Sequence, residues 1–225
     1  MKTSEPIVIA IDGPSASGKS TVARGVAKSL GFIYVDTGAM YRTVAWLAVQ
    51  KRMALNDDAA IMALMEAAKV EFLLRDGSVQ MWVDGYYPQK EIRTADVSAA
   101  VPEVAKLRKL RAWVVGHQRA MTQFGNLVME GRDIGSVVFP DSPHKFYLDA
   151  DPDVRAQRRT RDLEAMKIKA SKEGVAQAIQ QRDKKDSSRN TSPLQIALGA
   201  TVIDNSRRSA DETAKLIVAR VRGRA

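Results

Sequence analysis

Residues 6–20 read Pro-Ile-Val-Ile-Ala-Ile-Asp-Gly-Pro-Ser-Ala-Ser-Gly-Lys-Ser. The first six are uninterrupted apolar residues ahead of a glycine turn, the pattern of a strand buried on both faces in a parallel sheet. Gly13 to Ser20 fit the spacing GxxxxGK[ST], and a helix is predicted from about Lys19 to Leu30, with Gly31 ending it. Strand, glycine loop and helix in that order make an anion cradle. Glycines let the backbone curl, so that amide N–H groups converge on one point. The helix N-terminus adds a positive dipole end. Lys19 adds a mobile cation for the β- and γ-phosphates of a nucleotide, and the Ser20 hydroxyl suits Mg²⁺. A phosphate loop therefore sets the fold class: α/β, with a parallel sheet covered on both faces.

The rest of the chain agrees. Residues 32–36, 126–130, 145–149 and 200–204 are short apolar runs, so five parallel strands are expected. Helices are predicted over 39–50, 57–69, 152–167, 172–185 and 209–222. A single long one is predicted over 103–124, with residues 104, 107, 110, 114 and 121 on its core face. One stretch breaks the rhythm. Val70, Phe72 and Leu74 alternate with other residues, as do Val79, Met81 and Val83, and Asp76-Gly77 between them is a hairpin signal. A small antiparallel excursion at about 60–100 is expected.

Composition narrows the class of function. The chain has 225 residues, 45% apolar and 27% charged, as befits one globular domain. Cysteine is absent, which excludes disulfides and thiolate metal sites. No run approaches the roughly 18 apolar residues of a membrane span. The N-terminal apolar run is too short for a secretion signal, so a cytoplasmic protein without membrane contact is expected. The net charge of +9 favours anionic partners. The arginines sit beside glycines, aspartates and strand ends rather than in one basic tract, which favours discrete phosphate contacts over a nucleic-acid stripe.

A phosphate loop specifies the donor and leaves the acceptor open. Transfer between two anions needs their charges offset, and arginine suits this because its planar fork binds phosphate bidentately. Arg42 lies in Thr37-Gly38-Ala39-Met40-Tyr41-Arg42, and Arg132 in Glu130-Gly131-Arg132-Asp133; both follow strand ends, where open α/β sheets bind ligands. Arg182, Asp186 and Arg189 fall at i, i+4 and i+7, on one face if the helix expected over 172–185 continues that far. The cluster at 155–161 by itself reads as solvated surface. Asp36 and Asp133 read as possible helix N-caps. His117, His144 and the tryptophans read as structural or surface residues.

Taken together, GPSASGKST at 13–21, DTGAMYR at 36–42, EIRT at 91–94, EGRDIG at 130–135, VVFP at 137–140 and RDKKDSSR at 182–189 resemble bacterial cytidylate kinase over nearly the whole chain. The resemblance implies a three-layer P-loop NTPase fold with a core (about 1–59, 101–154 and 195–225), a nucleoside-monophosphate-binding insertion (about 60–100) and a mobile lid (about 155–194). It implies Mg-dependent transfer of the γ-phosphoryl group of ATP to CMP or dCMP by direct in-line displacement. Carried over by motif, Gly13, Pro14, Ser15, Ala16, Ser17, Gly18, Lys19, Ser20 and Thr21 hold ATP, with Ser20 on the metal. Thr37, Tyr41 and Arg42 line the acceptor side, and Arg42, Arg132 and Arg182 hold its phosphate. Arg111 and Asp133 read the base, Asp186 with Arg182 holds the ribose, and Arg158 and Arg189 belong to the lid. Lys19, Arg132, Arg158, Arg182 and Arg189 are the implied catalytic set. Three positions depart from relatives: Pro102 stands for a base-bonding serine, Glu130 for an aspartate and Thr37 for a serine. A monomer without a nucleic-acid partner is expected. Rival readings are a kinase for UMP, AMP or a shikimate-like acceptor, and an ATP-dependent nucleic-acid-binding module, against which the 6% aromatic content speaks.

Overall fold

The computed structural model describes residues 5–165, 168–189 and 191–223. In chain order its elements are β1 (Val8–Asp12), α1 (Lys19–Leu30), β2 (Ile33–Asp36), α2 (Thr37–Gln50), α3 (Asp58–Ala67), β3 (Val70–Arg75), β4 (Ser78–Val83), α4 (Ala95–Val104), α5 (Arg108–Ala120), β5 (Leu127–Gly131), β6 (His144–Asp149), α6 (Pro152–Ala165), α7 (Lys172–Ser188), β7 (Thr201–Asp204) and α8 (Ala210–Val221). The last two residues of the helix expected over 152–167 lie outside the described residues.

The sheet order is β3-β4-β2-β5-β1-β6-β7. The five expected strands, β2-β5-β1-β6-β7, run parallel. The hairpin β3–β4 is antiparallel, and Ser78 pairs with Tyr34 of β2, so it prolongs the same sheet. Its turn residues Asp76 and Gly77 both have positive φ, 48° and 72°, as a two-residue hairpin turn demands. Strand alternation splits the core. Val8 and Ala10 face the α2, α4 and α5 side; Ile9 and Ile11 face α1 and α8. A third, smaller cluster of Ala156, Val175 and Ile179 joins α6 to α7 and touches Ala16 of the glycine loop.

The single helix expected over 103–124 is two helices and a 3₁₀ turn at Met121–Phe124. Every apolar position assigned to its core face is buried. The break comes from long-range capping. The Asp58 carboxylate accepts from the N–H groups of Lys109 (2.8 Å) and Leu110 (3.1 Å), and the Arg111 guanidinium donates to the Ala105 carbonyl (3.0 Å). Asp58 thus serves the start of α5 from fifty-one residues away, which no local pattern reveals.

Candidate active site

A cleft of about 770 Å³ opens at the carboxyl ends of the parallel strands. Its floor is the loop between β1 and α1. Gly13 has φ 149°, and a Cβ there would lie 2.1 Å from the Leu148 carbonyl oxygen, so only glycine fits. Gly13 and Pro14 are buried under the loop, while Ser15 to Thr21 line the cleft. Lys19 folds back, donating to the Pro14 carbonyl (2.6 Å) and to Ser17 Oγ (3.3 Å). Burial and the nearby Arg132 push its ammonium down to about 7.

The other expected residues all reach the cleft: Thr37, Tyr41, Arg42, Arg111, Glu130, Arg132, Asp133, Arg158, Arg182, Asp186 and Arg189. Asp36 accepts from Ala39 N–H (2.8 Å), the N-cap expected, and also holds Arg42 Nη2 (2.8 Å). Arg132 Nε donates to Asp186 Oδ2 (2.9 Å), and Arg189 Nη1 lies 3.8 Å from Asp186 Oδ1. The Thr37 hydroxyl donates to the Glu130 carbonyl (2.7 Å). The Tyr41 ring stacks against the Arg111 guanidinium at 5.5 Å.

Charge is unevenly neutralised. Nε of Arg42, Arg111 and Arg182 and Nη2 of Arg189 are buried without a hydrogen-bond partner among the described residues. Buried donors of this kind are costly unless a ligand meets them. A side cavity of about 50 Å³ is lined by Arg42, Arg93, Arg159 and Arg182 with Ser98 and Val101, and by no carboxylate among the described residues. Burial and the neighbouring Arg132 lower Arg182 to about 10. An incoming anion would relieve that crowding.

Two expectations need correction. Asp133 stands at the N-cap position of Ile134–Val138, but its side chain makes no capping bond there and forms a buried ion pair with Arg111. The one-turn segment Ile134–Val138 is instead held by Asp12, whose carboxylate accepts from Ile134 N–H (2.9 Å) and Gly135 N–H (2.8 Å). Burial, only partly offset by those two bonds, raises Asp12 to about 6. The cluster at 155–161 is not simply solvated surface. Arg155 is buried, pairs with Asp183 and donates to the Ala150 carbonyl (3.1 Å), while Arg158 donates to the carbonyls of Ser17 (3.3 Å) and Asn205 (2.7 Å).

Sequence reasoning missed Asn205, Asp183 and Asp12. Asn205 Nδ2 donates to the Ser17 carbonyl (2.7 Å) while its Oδ1 accepts from Thr213 (2.6 Å), tying the end of β7 to the phosphate loop. Asp183 accepts from Ser15 N–H (3.0 Å), tying α7 to the same loop. Asp12 directly precedes the loop, and Asn205 directly follows a strand end; position beside a strand terminus was the available signal. His117 proves structural, packed between Phe72 and Trp113.

The geometry is thus a backbone anion cradle facing a group of arginines across one cleft. Comparison with known proteins agrees with it. The chain is 43% identical over 214 residues to the cytidylate kinase of Pelotomaculum thermopropionicum, covering 95% of each chain. It is 41% identical to part of the bifunctional pantoate ligase/cytidylate kinase of Trichormus variabilis, covering 94% of this chain and 40% of that one. An uncharacterized protein from Eubacterium ventriosum shares the fold, with a TM-score of 0.50 and 13% identity over 97% of this chain and 99% of that one. A family profile described as cytidylate kinase matches residues 9–223, and with that match over almost its whole length the chain belongs to the cytidylate kinase family.

Proposed function

We propose that the protein transfers the γ-phosphoryl group of ATP to CMP or dCMP, giving CDP or dCDP and ADP. The observation that carries this reading is the single cleft in which the loop at Ser15–Thr21 faces Arg42, Arg132, Arg182 and Arg189, several with buried, unpartnered N–H groups. One anion cradle alone would suit any nucleotide-binding protein. Two opposed ones suit the joining of two phosphates.

In the proposed reaction the loop amides and Lys19 hold the β- and γ-phosphates. Arg42, Arg132 and Arg182 turn the acceptor phosphate toward them. Arg111 and Asp133 read the cytosine edge, Tyr41 and Thr37 wall the acceptor side, and Asp186 with Arg182 holds the ribose. An acceptor oxygen forms its bond to the γ-phosphorus as the bond to the β–γ bridging oxygen breaks, and the electron pair leaves with ADP. The acceptor oxygen is already anionic, so no strong base is needed. Catalysis rests on alignment and charge compensation. The segment α6–α7, held to the loop through Arg155, Arg158 and Asp183, acts as a lid that excludes water.

The residues fit Mg²⁺. Ser20, Glu130 and Asp36 line the cleft and offer hard oxygen donors, with Asp36 and Glu130 paired in register on adjacent strands. No cluster of three or more His, Asp or Glu residues among the described residues could hold a metal by itself. That is the pattern of an ion carried in with the nucleotide and shared between phosphates and few protein oxygens. When bound, it would offset phosphate charge.

The decisive test is an acceptor panel. ADP release is followed with ATP and, in turn, CMP, dCMP, UMP, AMP and shikimate. CMP or dCMP is expected to give the highest kcat/KM, and strong preference for AMP overturns the reading.

A pH prediction follows from Lys19. Its ammonium, pushed down to about 7 in the free protein, is mostly neutral at pH 8. A polyphosphate beside it restores the charge, so ATP binding at pH 8 takes up a proton. Affinity therefore falls as pH rises above about 7 and is insensitive to this group well below it. Calorimetry in two buffers of different ionisation enthalpy measures the uptake. It is expected to vanish in Lys19→Met.

A further inference from the structure

We infer that Tyr34 is a positioning residue, whose hydroxyl aims the Glu130 carboxylate at the divalent cation that accompanies ATP. This rests on the magnesium reading above. Tyr34 lies on β2 and Glu130 on β5. The register pairs Tyr34 with Val128 and Asp36 with Glu130, so Tyr34 and Glu130 are diagonal neighbours on one face of the sheet. That face is the one covered by α1, whose first turn carries Ser20. The Tyr34 hydroxyl donates to Glu130 Oε1 at 2.6 Å.

Both partners are buried, at 8% and 5% exposure, yet the Glu130 side chain still reaches the cleft. The tyrosine ring is fixed between sheet and helix, in one cluster with Val22, Val26 and Val128. Arg24 lies over its face at 4.9 Å and brings Nη2 to 3.4 Å from the hydroxyl. Glutamate has one more rotatable bond than aspartate, and an untethered carboxyl at this depth could turn several ways. A donor on one oxygen selects one rotamer and leaves the second oxygen for another partner. Ser20, in the first turn of α1, lines the same cleft as the Glu130 carboxyl, so the tethered group and the hydroxyl proposed for the metal open into one space. Groups that orient a metal ligand in this manner typically alter metal affinity about 10–100-fold when lost.

The rival explanation is that Tyr34 only fills the core. Tyr34→Phe keeps the ring and removes the hydroxyl, and the readout is equilibrium binding. Mn²⁺ is titrated into the full-length protein saturated with a non-hydrolysable ATP analogue and followed by electron paramagnetic resonance. Affinity for the metal-free analogue is measured alongside. The expected result is about a tenfold loss of Mn²⁺ affinity with unchanged metal-free affinity. Glu130→Gln is expected to cost at least as much, and adding Tyr34→Phe to it to cost nothing further, because the two act as one unit.

Equal losses with and without metal, additive losses in the double variant, or unchanged Mn²⁺ affinity in Tyr34→Phe each overturn the inference while leaving the magnesium reading standing. A native protein that shows no metal-dependent nucleotide binding overturns both.

Discussion

Replacing Arg132 with alanine lowers kcat by about 10²–10³-fold, the usual cost of deleting one charge-stabilising donor from a preorganised site. The size of the effect follows from where the guanidinium sits. Its Nε is committed to Asp186 at 2.9 Å, which fixes the plane of the fork, and Nη1 donates to the Gly131 carbonyl at 3.3 Å. Nη2 has no hydrogen bond among the described residues and can meet a phosphate in a defined orientation. Burial opposes the charge of this group, but the carboxylates around it, Asp186 first and then Asp183 and Glu130, together outweigh burial and hold Arg132 cationic. Deletion also leaves Asp186 without its shortest partner in a buried position, so some loss of stability accompanies the loss of rate. Arg189 at 3.8 Å limits that damage, and the fold is expected to survive. Arg132→Lys separates the two effects: it keeps a cation near Asp186 but cannot form the fork, so stability recovers more than kcat. The checks are a thermal melt and steady-state kinetics with CMP. Near-normal turnover in Arg132→Ala would mean that the acceptor phosphate lies elsewhere.

The same residue shows what a sequence can disclose. Arg132 and Arg42 are legible because each follows a strand end beside a glycine, and open parallel sheets gather ligands there. The phosphate loop is legible because all its parts are contiguous. The contacts that lock the site together are not. Asn205 and Ser17 are 188 residues apart, Ser15 and Asp183 are 168, and Asp12 and Ile134 are 122. Each is one polar side chain meeting a backbone group, and neither periodicity nor local spacing encodes such a meeting. The same limit explains the interrupted 103–124 helix. Its apolar rhythm runs through the break because both halves bury the same face, whereas the cap that starts the second half comes from Asp58. Arg155 misleads for a related reason. A run of arginines looks solvated unless the buried acceptors are known, here the Ala150 carbonyl and Asp183. Asp133 looks like a cap from its position before Ile134, but its ion pair with Arg111 leaves that role to Asp12.

Lys19→Met is expected to cost at least as much in kcat as Arg132→Ala, about 10²–10³-fold, while leaving the fold more stable rather than less. Lys19 is 5% exposed, bonds to one carbonyl and one hydroxyl, and has no carboxylate in salt-bridge contact among the described residues; burial and the charge of Arg132 both work against its ammonium. A cation held this way opposes folding, and the sign with pH is fixed by its depressed pKa. Below about pH 7 the group is charged in both folded and unfolded chains, and the full desolvation cost is present. As pH rises above about 7, the folded protein sheds the proton while the unfolded chain keeps it, and the cost shrinks. Methionine has a similar length and no charge. Its gain in melting temperature is therefore largest below pH 7 and fades toward alkaline pH, although the lost bonds to Pro14 and Ser17 offset part of it. A melting series from about pH 6 to 9, run beside kcat for the native protein and the Lys19→Met variant, covers the onset of that fading and measures both quantities. Lower stability across that whole range would mean that Lys19 holds the empty loop together. Preserved turnover would mean that the β- and γ-phosphates do not lie against it. A residue that lowers stability in the free protein and raises rate in the complex fits a cradle built for a polyanion, because the ligand's charge is what relieves the strain of burying the cation.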